Sequence, residues 1–268
     1  MRFIAVWLVF HALTTFAAER GLSENVAANN AALLVSVSKG LPGLDIDIAH
    51  LKTILAHQSN QFLPPTVLRE NDGTTTKISE QLTKLADSVD SRGTLFFYFT
   101  GHGAKGLIQV QDRTMKIGEI RKAIEDGRKT WGPLSRLVMM FDSCHSGSLL
   151  DPVRGSLPVF SFERPELASS QFLDEVYEEM TKPNREGELP SNYWKNLFVF
   201  ASARADETCD ASGSGSAFTI GLKKGFDKAI ATNGTLGELV AVTKAETKGS
   251  HPMARFDPAS LENEKMIP

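Results

Sequence analysis

Two five-residue runs, Leu95-Phe96-Phe97-Tyr98-Phe99 and Leu137-Val138-Met139-Met140-Phe141, carry no charge and show no alternation of polar with apolar side chains. A strand with one wet face alternates. An unbroken apolar run of this length needs cover on both faces, which places it inside a parallel sheet with helices above and below. The flanking sequence supplies the other elements. Ala31 to Ser38 is a strand-like run, and Ile48, Leu51 and Leu55 give one apolar face to a helix near Asp47 to His57. A short strand at Thr66 to Arg69 precedes a helix near Lys77 to Val89, with Ile78, Leu82, Leu85 and Val89 spaced at three and four. Ile117, Ile120 and Ile124 mark a helix that stops at Gly127, after a loop or hairpin; strands follow at Arg136 to Phe141 and Asn196 to Ser202. Helices near Ser216 to Ala231 and Leu236 to Thr247 close the pattern, the last with a capping box of Thr235 and Glu238. Strand–helix alternation of this kind predicts a largely parallel sheet covered on both faces.

Asp151 to Tyr193 breaks the alternation. It is rich in Pro, Glu, Arg and Ser, with a helix expected near Gln171 to Met180, and reads as an insertion between two halves of one sheet. The chain opens with Met1-Arg2, an apolar stretch from Phe3 to Leu13, and small residues to Ala18. This is the pattern of a secretory signal cut near Ala17 or Ala18, which predicts a secreted or periplasmic protein. The apolar stretch is shorter than the roughly 20 residues a bilayer crossing takes, so no permanent membrane span is expected. With 268 residues, 41% of them hydrophobic, and a net charge of −3, the chain has ample core and no basic face for nucleic acid.

The two apolar runs lead into Thr100-Gly101-His102-Gly103 and Asp142-Ser143-Cys144-His145-Ser146-Gly147. Open parallel sheets bind ligands beyond the carboxyl ends of their strands. An imidazole and a thiol delivered to that edge make a base and a nucleophile, and backbone N–H groups at Gly103 and Cys144 are placed to hold an oxyanion. His145, next to the nucleophile, is expected to be structural. Cys144 and Cys209 are the only cysteines; a nucleophilic Cys144 must be free, so no structural disulfide is predicted. Gly101, Gly103 and Gly106 fit G-x-G-x-x-G, but a nucleotide-binding loop needs a helix at the third glycine, and Leu107 to Asp112 alternates like a strand. Neither a G-x-S-x-G elbow nor a C-x-x-C pair occurs.

Tyr98-Phe99-Thr100-Gly101-His102-Gly103 and Asp142-Ser143-Cys144-His145-Ser146-Gly147 resemble the histidine and cysteine motifs of the caspase-like cysteine peptidases, and within them the metacaspase and orthocaspase branch. Gly43 to Asp47, Ala201 to Thr208 and Ser216 to Thr219 are similar to further segments of that family, so the likeness runs from about Ala31 to Thr247. The resemblance implies a caspase-like three-layer α/β/α sandwich with a mostly parallel sheet of about six strands. It implies a catalytic domain over residues 28–250, divided into a p20-like part at 28–150, a linker at 151–193 and a p10-like part at 194–250, with a tail at 251–268.

Carried onto this chain, the family pattern makes Cys144 the nucleophile and His102 the base and acid of an endopeptidase. Asp47, Asp142 and Thr100 match the primary specificity pocket, where two carboxylates favour Arg or Lys before the cleaved bond. The expected partners are therefore protein or peptide substrates with basic residues. Thr100 stands where the family usually has serine. Many metacaspases hold calcium with several aspartates; here Asp151 matches one, but Ile117 and Gly118 fill positions of an acidic pair, so no cofactor and no calcium requirement is expected. Arg154, Arg164, Lys182 and Arg185 offer self-cleavage sites in the linker. The alternatives from the same motifs are an inactive binding module of this fold and a transamidase using the same thiol.

Overall fold

The computed structural model describes residues 30–57, 62–104, 106–129, 131–145, 171–202 and 211–264. The expected signal segment, Asp151, Arg154, Arg164 and Cys209 lie outside them. In chain order the main strands are β1 (Ala31–Val37), β2 (Thr66–Arg69), β3 (Thr94–Ala104), β4 (Leu107–Gln109), β5 (Thr114–Lys116), β6 (Arg136–His145), β7 (Leu197–Ala201), β8 (Ala211–Ser212), β9 (Gly215–Ser216) and β10 (Met253–Asp257). The helices are α1 (Leu44–Ala56), α2 (Thr75–Ser88), α3 (Ile117–Gly127), α4 (Gln171–Thr181), α5 (Ala217–Thr232) and α6 (Leu236–Glu246).

The sheet runs β10-β7-β6-β3-β1-β2, with β4 and β5 attached as a flap to the end of β3. Strands β2, β1, β3, β6 and β7 are mutually parallel; β10 closes the edge antiparallel to β7. The two all-apolar runs are the central strands, as their composition requires. Odd-numbered side chains of β1, β3 and β6, such as Leu33, Val35, Phe97, Phe99, Met139 and Phe141, pack one face against Ile78 and Leu82 of α2, Ile120 and Ile124 of α3, and Val176 and Met180 of α4. Even-numbered ones, among them Leu34, Phe96, Tyr98, Val138 and Met140, meet Ile48 and Leu51 of α1, Phe218 and Leu222 of α5, and Leu239 of α6. A strand turns alternate residues to opposite faces, so these runs serve two cores at once. Each fully buried large side chain contributes about 1.5–3 kcal/mol to that packing. The result is the three-layer α/β/α sandwich, with three helices on each face.

Two details differ from the pattern in the sequence. β3 and β6 run on through the two motifs, to Ala104 and His145, because their central position lets neighbouring strands pair with the polar ends. The expected tail supplies β10, whose five residues are half-buried and alternate too weakly to announce a strand. Gly106 is followed by strand β4, as the alternation after it predicts, and not by the helix a nucleotide-binding loop needs. The capping box on α6 forms as written: the Thr235 hydroxyl accepts from Glu238 N–H at 3.2 Å, and Glu238 accepts from Thr235 N–H at 2.9 Å.

Candidate active site

The sheet brings the two motifs into register. Thr100 lies opposite Asp142, and two residues further on His102 lies opposite Cys144, on directly adjacent strands β3 and β6. Parallel neighbours stand about 4.8 Å apart, so the thiol-bearing and imidazole-bearing residues share one rung of the ladder. Gly103 pairs with His145 on one side and with Ile108 of β4 on the other. His102 is half-buried, and its pKa lies below the ordinary histidine value, first because burial disfavours the imidazolium and second because Lys39 repels it. The imidazole is thereby kept neutral, the form in which it accepts a proton.

Below this rung lies a second polar cluster, on the face covered by α1 and α5. Asp142 is 4% exposed and Asp47, in the first turn of α1, is 1% exposed. Asp45, two residues earlier, is instead turned to solvent and pairs with Arg69 at 3.1 Å. Asp142 Oδ2 accepts from Ser216 Oγ, from Thr219 Oγ1 at 2.8 Å and from Tyr98 OH at 3.1 Å. The Ser202 hydroxyl also bonds this carboxylate. Asp47 Oδ1 accepts from Ser216 N–H at 2.8 Å, and the Thr100 hydroxyl bonds the same carboxylate. The β8–β9 turn reaches α1 through glycine: Gly43 has φ +81°, and a Cβ there would lie 2.0 Å from the Ser212 carbonyl oxygen, while one on Gly215 would lie 2.8 Å from Asp47 Oδ1.

The electrostatics of this pair are unusual for carboxylates. Among the described residues no Lys or Arg pairs with either one. Burial first, and Asp142 second, push the Asp47 pKa up to about 7; burial likewise raises Asp142. Tyr98 is pushed well above its ordinary range by burial and by both carboxylates. Tyr98 and Thr219 are also 2.8 Å apart, so their hydroxyls and Asp142 Oδ2 form one hydrogen-bonded cluster. With both pKa values raised, the pair of carboxyls holds a proton to higher pH than exposed carboxyls do.

The structure thus gathers Asp47, Asp142 and Thr100 into one cluster and sets His102 opposite Cys144. The sequence reading missed Tyr98, Ser202, Ser216 and Thr219. Tyr98 stood in the histidine motif and Ser202, Ser216 and Thr219 in segments similar to the family's, with Ser216 opening the expected helix, but none was given a role in the site. Of the linker cations, Lys182 follows the end of α4 and pairs with Glu179 at 2.5 Å. Ile117 is buried in the core at the start of α3. Among the described residues no group of three or more His, Cys, Asp or Glu gathers to hold a metal ion, and no helix is long and apolar enough to cross a membrane.

A protein of Geobacter sulfurreducens, solved by crystallography as a structural-genomics target, shares this fold: TM-score 0.62 at 15% identity, over 90% of this chain and 98% of that one. No curated protein sequence matches the chain significantly. The family model of the caspase domain, in the C14 peptidases, matches residues 29–255. That span takes in both motifs and every strand of the sheet except the last residues of β10, and the chain belongs to the caspase-domain peptidase family.

Proposed function

We propose that the protein is a cysteine endopeptidase that cleaves after Arg or Lys, with Cys144 as nucleophile and His102 as base and acid. The observation that carries this reading is the register of β3 on β6, with His102 opposite Cys144 and the buried Asp142 one step below on the same strand as the thiol. His102, held neutral by burial and by Lys39, accepts the thiol proton. The Cys144 thiolate adds to the scissile carbonyl carbon, and the carbonyl oxygen takes the negative charge. Backbone N–H groups at Cys144 and Gly103 stabilise that oxyanion. The imidazolium then gives its proton to the leaving amine, the C–N bond breaks, and a Cys144 thioester remains. Water, deprotonated by His102, hydrolyses the thioester and restores the thiol.

Specificity follows from the cluster under the dyad. A guanidinium or ammonium entering between Asp47 and Asp142 takes the place of a proton held there, hydrogen-bonds to both carboxylates and offsets one of their two negative charges. A substrate Asp at the same place adds a third negative group and is rejected. The test is hydrolysis by the mature protein of peptides carrying Arg, Lys, Asp or Asn before the cleaved bond, with Cys144→Ala as the blank. Cleavage after Arg and Lys, absent in the blank, is expected. Equal activity in the blank removes the dyad from the mechanism; cleavage confined to Asp removes the pocket.

A further inference from the structure

We propose that Ser216 is a positioning residue for the basic-side-chain pocket, the one group that fastens both carboxylates in place. This rests on the peptidase reading above. Ser216 is 4% exposed and reaches both carboxylates. Its backbone N–H donates to Asp47 Oδ1 at 2.8 Å, its hydroxyl donates to Asp142 Oδ2, and the same oxygen accepts from Thr219 N–H at 2.9 Å as the N-cap of α5. A hydroxyl has one hydrogen. With the oxygen held by the helix amide, that hydrogen faces the carboxylates: Asp142 Oδ2 is its acceptor, and the same hydroxyl also reaches Asp47.

The two carboxylates come from distant parts of the chain, 169 and 74 residues away from Ser216. No cation separates them among the described residues, and each raises the cost of charging the other. Two like groups in low dielectric move apart unless donors hold them. Ser216 is the residue with one donor on each. The positive φ of Gly215, +100°, lets the chain bring it there over Asp47. The pocket for a basic side chain is therefore completed only when the start of α5 docks against α1 and β6.

Removing the hydroxyl leaves the dyad untouched and takes from Asp142 the donor that ties it to Asp47, so that only Thr219, Tyr98 and Ser202 still hold it. A lost hydrogen bond to a charged group weakens an interaction by about tenfold or more. Ser216→Ala is thus expected to raise KM for Arg and Lys peptides about tenfold with kcat little changed, the signature of lost binding that ground and transition states share. Ser216→Thr, which keeps the hydroxyl, restores KM. Two comparisons separate positioning from simple loss of a cap. Thr235→Ala removes an equivalent cap from α6, far from the carboxylates, and is expected to lower stability without moving KM. Ser216→Gly removes the hydroxyl while keeping most of the capping preference; it shows the same rise in KM and serves if Ser216→Ala does not fold. The inference is overturned if Ser216→Gly cleaves Arg peptides with wild-type KM, or if Thr235→Ala raises KM as much. A wild-type enzyme with no basic preference overturns the reading it rests on, and this inference with it.

Discussion

Asp47→Asn is predicted to make the protein more stable and less selective at the same time. The wild-type carboxyl moves from an ordinary 3.8 to about 7 on folding, chiefly through burial and then through Asp142. Folding therefore tightens its hold on a proton. The stability this gives is complete below about pH 3.8 and is lost as pH rises through about 7. At about 1.4 kcal/mol for each tenfold change, full ionisation of Asp47 in place weakens the fold by something on the order of 4 kcal/mol. Asparagine has the same shape, its amide oxygen still accepts from Ser216 N–H, and the Thr100 hydroxyl can accept where it donated. Urea unfolding of the full chain in a Cys144→Ala background, from pH 4 to pH 8.5, reads the difference. The curves are expected to meet near pH 4 and to separate in favour of the asparagine variant as pH rises, reaching up to ~4 kcal/mol above pH 8. On the active background the same substitution lowers kcat/KM for Arg peptides by about 10–100-fold, the worth of a charge-assisted contact. Parallel loss of stability in both proteins, or a variant less stable at pH 8, refutes the reasoning, because Asp47 would then not carry a raised pKa.

Other outcomes follow from the same geometry. Lys39→Glu removes the charge that, after burial, holds the His102 pKa down; the acid limb of the kcat/KM profile moves to higher pH, which a stopped assay across pH 5–8 detects. Gly43→Ala sets a Cβ against the Ser212 carbonyl at a left-handed φ; it costs on the order of 2–3 kcal/mol in chemical denaturation and raises KM by displacing Asp47. Hydrolysis in excess chelator is expected to proceed at the rate seen with calcium, because Ile117 and Gly118 fill the acidic pair's positions; activity abolished by chelator and restored by calcium contradicts this.

The layered core was open to reading because it rests on local signals. Leu95 to Phe99 and Leu137 to Phe141 have no polar face, so they belong at the centre, and the isoleucine spacing of α3 repeats on one side of a helix. β10 was hidden because an edge strand with five half-buried residues satisfies no strict alternation. The site divides in the same way. His102 and Cys144 follow diagnostic apolar runs, and a parallel register sets them opposite each other. The carboxylate cluster depends instead on the docking of α5 and the β8–β9 turn onto α1. Ser216 acts there through a backbone N–H as well as its hydroxyl, and no residue type encodes a backbone donor. Tyr98 illustrates the same point: in sequence it belongs to the core, and in the fold its hydroxyl reaches past the core to Asp142.

The central claim, a Cys144 thiolate served by His102 above an acidic pocket, is tested most directly by covalent capture. The protein is treated with matched peptidyl chloromethyl ketones ending in Arg or in Asp, and the modified residue is located by peptide mass mapping. The account predicts one adduct, on Cys144, formed by the Arg reagent far faster than by the Asp reagent and strongly slowed in His102→Ala. An adduct on Cys209, equal rates for the two reagents, or a rate indifferent to His102 would contradict it.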